Sequence, residues 1–360
     1  MEASTRTSQV GAQADPTTPN PVVSAIVVTF NSARTIELCL RSLALQTLTR
    51  REVIVVDNFS SDATRKKLRG HSEITVLALD SNIGFPGACN LAAHLSKGQF
   101  LAFVNPDASL ATDCLEFLVK FLEDNPTVGA VSSKIYMSDL VKLSRARVNA
   151  DGNEANYLLF AWARRCGLED TSESDPFPVL YPSGAAMVIR KDAFDELEGF
   201  DSDLFLYHDD VDIGLRLRMR GWDVVSVPSA VAFHDYEFLR HPMKFFYLER
   251  NRLMVLTKIW STNVLLRMLP VLLITDLAVA VFAISSGWFS LKAASYLEFV
   301  RSLPATVVKR KQVALTRKVT DAKILNYCVG GIYHPFLSPS PWLLRLNRLL
   351  EKYRNAFLAS

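Results

Sequence analysis

The sequence predicts an α/β fold: a mostly parallel sheet with helices on both faces, followed by a C-terminal region of apolar helices. Three observations carry this expectation. From residue 21 onward, short apolar runs alternate with amphipathic helical patterns, as in a parallel sheet buried on both faces. Asparagine and aspartate recur just past the ends of those runs, where open α/β sheets hold ligands. The last hundred or so residues then turn to long apolar and basic stretches.

Taken in order, residues 22–29 (VVSAIVVT) read as the first strand, and 33–48 as a helix carrying Ile36, Leu38, Leu40, Leu43 and Leu45. Strand 52–56 (EVIVV) ends at Asp57, 60–69 is helical, and 74–79 is a third strand. A helix over 87–96, a strand over 100–104 and a helix over 113–123 complete the first half. The alternation loosens after Val131, and 144–175 mixes Gly, Asn, Arg and acidic residues, as expected of loops and short strands lining a cleft. Regular structure returns as a strand over 184–190, helices over 191–197 and 211–220, and a strand over 223–227.

The ends differ from this middle. Residues 1–20 are polar, rich in Ser, Thr, Gln and Pro, and read as a flexible leader without the apolar core of a secretory signal. Residues 268–284 (MLPVLLITDLAVAVFAI) are almost wholly apolar, interrupted by Pro270 and Asp276. Their length is borderline for a span, which needs about 20 apolar residues. Arg301, Lys309, Arg310, Lys311, Arg317, Lys318 and Lys323 follow with few acids between them. Basic residues beside an apolar helix suit an anionic membrane surface, so the expectation is a peripheral or monotopic protein at the cytoplasmic face. A buried core or dimer helix is the ordinary alternative.

Composition narrows the function. The 360 residues carry a net charge of +3, too little to argue for nucleic acid. Hydrophobic residues make up 49% and charged ones 21%, with mean hydropathy +0.14. Cys39, Cys89, Cys114, Cys166 and Cys328 are odd in number and never spaced as CxxC. That argues for reduced thiols and against a disulfide framework or a zinc site.

Four clusters bear chemistry. Thr29, Phe30 and Asn31 meet Asp57 and its followers (DNFSSD) at the ends of the first two strands; amide and carboxylate groups there can read a base or ribose. Asx turns account equally well for Asn58, Ser60 and Ser61. The loop NIGFPGACN (82–90) places Gly84 and Gly87 where backbone can approach a ligand, ahead of free helix N–H groups. Neither GxGxxG nor GxxxxGK[ST] occurs. Asn105-Pro106-Asp107 ends the fourth strand, and one carboxylate there can hold Mg²⁺ or Mn²⁺ while a diphosphate supplies further oxygens; these three residues also favour a plain turn. The fourth cluster is Asp209, Asp210 and Asp212, flanked by Phe205, Tyr207 and an apolar helical run. Carboxylates so close together repel unless compensated, although acids also favour a helix start. His234, just after a strand, is a candidate metal ligand or an ordinary semi-buried histidine.

In their order, these motifs resemble the family-2 glycosyltransferases of the GT-A fold, especially the rhamnosyltransferase-like branch, over about residues 22–252. VSAIVVTFN and VIVVDNFSSD resemble that family's nucleotide-binding strands, and NIGFPGACN its NxGFxxGxN loop. NPD stands where the family has its metal-binding DxD, and GFDSDLFLYHDDVDIGLRLRMRGW resembles its GFDExFFxYxEDVDLxxRxxxxGW block. FYLERNRLMVL is similar to its RNR segment.

The resemblance implies an inverting, metal-assisted transfer of a sugar from a nucleotide donor, dTDP-rhamnose favoured, to a hydroxyl of a glycan or polyprenyl-linked acceptor. It implies Asp210 as the catalytic base with Asp209 beside it. The donor would be bound by Thr29, Asn31, Asp57, Asn82, Gly84, Phe85, Asn90 and Asn105, and Mg²⁺ or Mn²⁺ by Asp107 and His234. The implied layout is a nucleotide-sugar half (21–133), an acceptor half (134–260), membrane-associated helices (261–305) and a basic tail (306–360). Two departures stand out: Asn105 replaces the first acid of DxD, and Asp209 replaces a usual glutamate. Two other readings stay open, a sugar nucleotidyltransferase and a non-catalytic membrane-associated partner with a degenerate transferase domain. The first would carry a Gly-rich loop where this chain has TFNSART; Asn105 supports the second.

Overall fold

The computed structural model describes residues 8–10, 20–138, 147–171, 174–235, 241, 243–333 and 340–359. The first half runs β1 (Ser8–Val10), β2 (Val23–Thr29), α1 (Ile36–Ala44), β3 (Arg51–Asp57), α2 (Thr64–Leu68), β4 (Thr75–Ala78), α3 (Gly84–Leu95) and β5 (Phe100–Val104). β6 (Ala108–Leu110), α4 (Cys114–Asp124), β7 (Val128–Met137), β8 (Val148–Ala150), β9 (Asn153–Ala155), β10 (Ala161–Ala163) and β11 (Phe177–Pro178) follow. The site-bearing block is β12 (Ala186–Arg190), α5 (Lys191–Glu196), α6 (Asp209–Met219) and β13 (Asp223–His234). Five helices close the chain: α7 (Lys244–Ile259), α8 (Thr262–Ser285), α9 (Phe289–Thr316), α10 (Asp321–Leu325) and α11 (Pro341–Ala359).

The main sheet is ordered β1-β4-β3-β2-β5-β12-β7-β13-β11. β4, β3, β2 and β5 run parallel, β12 is antiparallel to both β5 and β7, and β13 lies parallel to β7. The sheet is therefore mixed, parallel where helices cross over and antiparallel where β12 is inserted. Alternation along the strands builds two cores. Val23, Ala25 and Val27 of β2 face α1 and α4, while Ile26 and Val28 face α3, α5 and α6. Helices thus cover both faces, as the continuous apolar strands required.

α6 is buried on two sides. Ile213 and Leu217 pack on the sheet, whereas Val211, Leu215 and Met219 meet α7, α8, α10 and α11. That explains an apolar run with no single helical stripe.

Three boundaries differ from the sequence reading. Ser8–Val10, placed in the flexible leader, forms an edge strand on β4, since an open edge offers unpaired backbone groups; residues 1–7 and 11–19 lie outside the described residues. The strand expected to end at Val227 continues as β13 to His234, crossing register shifts beside Pro228; bulges let a strand pass such a residue. The expected helix–tail boundary at 305 falls inside α9, and α10 and α11 replace a tail. Of the cleft expected over 144–175, residues 144–146 and 172–173 lie outside the described residues.

The basic residues also stand differently. Lys309 pairs with Asp201 and Asp203, Lys318 with Glu196 at 3.1 Å, Arg317 with Asp321 at 2.5 Å and Arg301 with Glu298 at 3.4 Å. Arg310 donates to the Thr257 carbonyl and to Thr262 Oγ1. Lys309, Arg310 and Arg317 thus bind the protein itself, while Arg301, Lys311, Lys318 and Lys323 remain exposed, beside an outward apolar face. α8 reaches a mean hydropathy of 2.2 with only 22% of that stretch buried. Leu266, Leu273, Leu277, Val281 and Ile284 are all more than half exposed.

Candidate active site

The acidic turn is shaped by its backbone. Phe205, Tyr207 and His208 all adopt positive φ, at 62°, 67° and 61°, a region that costs non-glycine residues about 1–3 kcal/mol each. The conformation is held from α7. The Asn251 amide donates to the carbonyls of Leu204, Leu206 and Tyr207, each at 2.8 Å, and Arg250 to those of Asp203 and Leu204. His208, before the first turn of α6, is buried with Nε2 3.1 Å from the Leu159 carbonyl. Burial pushes its pKa down to about 4, so it is neutral near pH 7.

Asp209 and Asp210 open α6 into a pocket of about 290 Å³. Burial raises Asp209 first and the adjacent Asp210 charge raises it further; Asp210 is reached from the pocket but enclosed elsewhere, and burial raises it too. Asp210 accepts from Val211 N–H at 2.8 Å and, at 3.4 Å, from Gly184 N–H. Neither acid has a cation partner among the described residues. Asp212 contrasts with them: fully buried, it pairs with Arg216 at 2.7 Å and Lys258 at 2.6 Å, the structural role its i,i+4 spacing predicts.

The same pocket is also lined by Asn105, Asn149 and His234, and by Phe85, Asn153, Trp162, Tyr181 and Lys244. Pairing of β6 with β13 sets Ala108 opposite His234 and so brings Asp107 to it. Asp107 Oδ1 lies 3.1 Å from His234 Nε2, and Asn149 Oδ1 lies 3.3 Å from Nδ1. A histidine whose second nitrogen meets an amide or carbonyl oxygen is oriented as metal-bound imidazoles are. Converging carboxylate and imidazole lone pairs fit a divalent cation that takes its other ligands from diphosphate and water. Among the described residues no group of three or more His, Cys, Asp or Glu side chains forms a complete cage.

The remaining expected donor ligands are engaged within the fold. Asp57 is fully buried, pairs with Arg65 and accepts from Ser60 N–H at 3.3 Å. Asn31 (φ 53°) accepts from the N–H groups of Ser61 and Asp62. Thr29 is buried, its carbonyl accepting from Asn58 N–H at 2.8 Å. Asn82 Oδ1 accepts from Asn58 and from Gly84 N–H, each at 2.9 Å.

Gly84 is approached by protein and not by open space: a Cβ there would meet the Phe205 carbonyl at 2.6 Å. Asn90 holds the backbone N–H and carbonyl of Phe200, each at 2.8 Å. The NIGFPGACN loop therefore joins the parallel half to the acidic turn, and of the loop residues singled out as ligands only Phe85 reaches the pocket. Sequence reasoning missed Asn251, Arg250, Asn149 and Lys244; the RNR pattern was the one available signal for the first two.

A strand-end pocket in a mixed α/β sheet, lined by Asp209, Asp210, Asn105 and His234, defines a protein of the GT-A fold class. Residues 24–198 match the family described as glycosyl transferase family 2; the chain carries that family's domain and is a glycosyltransferase. The match ends before the acidic turn. Among curated relatives, the N-acetylglucosaminyl-diphospho-decaprenol L-rhamnosyltransferase of Mycobacterium tuberculosis is 28% identical over 232 residues, 59% of this chain and 76% of that protein. Glycosyltransferase AglE of Haloferax volcanii is 34% identical over 102 residues, 27% of this chain and 34% of its own length. Two solved structures share the fold. The mannosyltransferase PcManGT of Pyrobaculum calidifontis, in complex with GDP-Man and Mn²⁺, is 20% identical with TM-score 0.50, covering 95% of this chain and 88% of its own. GalNAc-T7 with UDP, GalNAc and Mn²⁺ is 16% identical with TM-score 0.55 over 68% of this chain; the match spans 49% of its own length.

Proposed function

We propose that this glycosyltransferase moves a sugar, rhamnose favoured, from a nucleoside diphosphate to a hydroxyl of a lipid-linked saccharide, with inversion, at the cytoplasmic face of a membrane. The observation that carries it is Asp210, a carboxylate without a cation partner among the described residues, lining a pocket that Asn105 and His234 also line. The Mycobacterium tuberculosis relative, by its name, transfers rhamnose to a diphospho-decaprenol-linked sugar, which supports both donor and acceptor class. The exposed apolar face of α8 supports membrane contact.

In this reaction the acceptor hydroxyl gives its proton to Asp210 as its oxygen attacks the anomeric carbon. The bond from that carbon to the diphosphate breaks, and its electron pair leaves with the nucleoside diphosphate. Asp107 and His234 would hold Mg²⁺ or Mn²⁺, which when bound offsets the negative charge of the leaving diphosphate. Asn251 and Arg250 keep the acidic turn in place, and burial raises Asp210 so that it is a stronger base than a surface carboxylate. Asp57 is fully buried and paired with Arg65, so contact with a base would compete with that pair.

A thermal-shift series of nucleotide sugars with and without Mn²⁺ tests the donor reading, since ligands of the native state raise its stability. dTDP-rhamnose with Mn²⁺ should give the largest shift, and Asp107→Ala should abolish the Mn²⁺-dependent part. An undiminished Mn²⁺ effect in that variant would remove Asp107 from the metal site.

A further inference from the structure

Behind the catalytic pocket lies a second cavity, of about 230 Å³, between α7, α8 and α11. Its wall is mostly apolar, with Phe245, Ala278, Val279, Trp288 and Leu346 among its residues. Phe245 stacks on Trp288 with ring centroids 4.6 Å apart. Apolar voids of about 150 Å³ already take up benzene, so this one has room for a branched hydrocarbon segment.

The two cavities are continuous in their walls: Ala161, His208 and Leu248 line both. α7 connects them, placing Lys244 in the catalytic pocket, Leu248 in both, and Phe245 in the apolar one. Lys244 is buried, and burial lowers its ammonium to about 8. It puts positive charge on the path from Asp210 to the apolar cavity. α8 presents Ala278 and Val279 inward, while its neighbours Leu277 and Val281 are 67% and 59% exposed. One helix therefore walls the cavity and carries the outward apolar face.

We infer that this cavity holds the diphosphate-proximal isoprenoid segment of a prenyl-diphosphate-linked acceptor, whose sugar then lies at Asp210 and whose diphosphate passes Lys244. This rests on the lipid-linked acceptor reading above and adds where the lipid goes. An anionic diphosphate suits the buried ammonium, and a chain leaving over α8 meets an apolar surface. A fatty acyl chain would find the same hydrocarbon wall but would bring no diphosphate to Lys244.

The test uses full-length protein in detergent micelles and farnesyl diphosphate bearing a photoreactive diazirine on its terminal isoprene, with adducts mapped by mass spectrometry. Adducts are expected on the cavity-lining residues Ala278, Val279 and Phe282 of α8 and Leu343 and Leu346 of α11. Unlabelled farnesyl diphosphate should suppress them, and palmitate or inorganic diphosphate should not. Filling the cavity with Ala278→Trp should reduce labelling about tenfold, the scale of excluding about two buried methylenes, while the outward Leu277→Trp should leave it unchanged. Should Ala278→Trp fail to fold by circular dichroism, Val279→Phe replaces it. Adducts confined to Leu273 and Leu277, labelling indifferent to the filling variant, or equal suppression by palmitate would each overturn the inference. Sugar transfer is measured on the same preparation. Cavity adducts without transfer would refute the proposed function and keep the lipid site; transfer without cavity adducts would do the reverse.

Discussion

The acidic turn at Asp209–Asp210 and the junction of α7, α8 and α9 both bury carboxylates, but only the junction surrounds them with cations. Glu249 meets Lys292 at 2.6 Å and Arg252 at 3.3 Å, and Asp276 meets Arg252 at 2.6 Å. Burial alone would raise Glu249, yet Arg252 and Lys292 hold it below its usual range. At the acidic turn no cation among the described residues answers, and both acids rise. The chemistry of aspartate and glutamate is shared, so the difference lies in compensation. A paired buried acid acts as scaffold, while an unpaired one facing a pocket is poised to take a proton.

Removing the uncompensated charge should hurt activity most. Asp210→Asn should lower turnover by about 10²–10⁴ while calorimetry finds donor affinity retained; near-normal turnover would move the base elsewhere. Breaking the compensated cluster should instead hurt stability. Arg252→Met leaves Glu249 and Asp276 short of a partner and should cost about 3–5 kcal/mol, read as a lower urea midpoint.

Asn251→Ala tests what joins the two regions. The Leu206 and Tyr207 carbonyls lose this donor while Leu204 keeps Arg250, a cost of about 1–3 kcal/mol, and turnover should fall with it as the acids lose their aim. The smallest effect is expected at Asp209→Asn. An unfolded aspartate ionises near pH 4, whereas folded Asp209 keeps its proton to higher pH. The folded state thus binds more protons across that window, and wild-type stability falls as pH rises through it. The asparagine variant should escape this fall, with a Tm about 2–4 °C above wild type at pH 8 and no gain at pH 4.

The same contrast explains what could be read before the structure. β2, β3 and β5 were legible because each is a continuous apolar run with both faces buried. The acidic turn was legible because Asp209, Asp210 and Asp212 crowd together beside Phe205 and Tyr207. The division between Asp210 and Asp212 was legible in part: the i,i+4 spacing to Arg216 pointed to a structural Asp212, while its second partner, Lys258, comes from a helix far along the chain. Asp57, Asn82 and Asn90 read as ligands because polar residues at strand ends serve both ligands and the fold; the partners each makes within the fold could not be read from the sequence. β13 was cut short at Pro228, and Lys309 and Lys318 looked unpaired until Asp201, Asp203 and Glu196 were found against them.

The pH profile of single-turnover sugar transfer, with saturating donor and Mn²⁺, tests most directly whether the uncompensated acid is the base. The rate should fall on the acid side with a midpoint above the ordinary carboxylate range near 4. That limb should persist in Asp209→Asn and vanish, with most of the rate, in Asp210→Asn. A limb that sits near 4, or one that disappears in Asp209→Asn and survives in Asp210→Asn, would contradict this account.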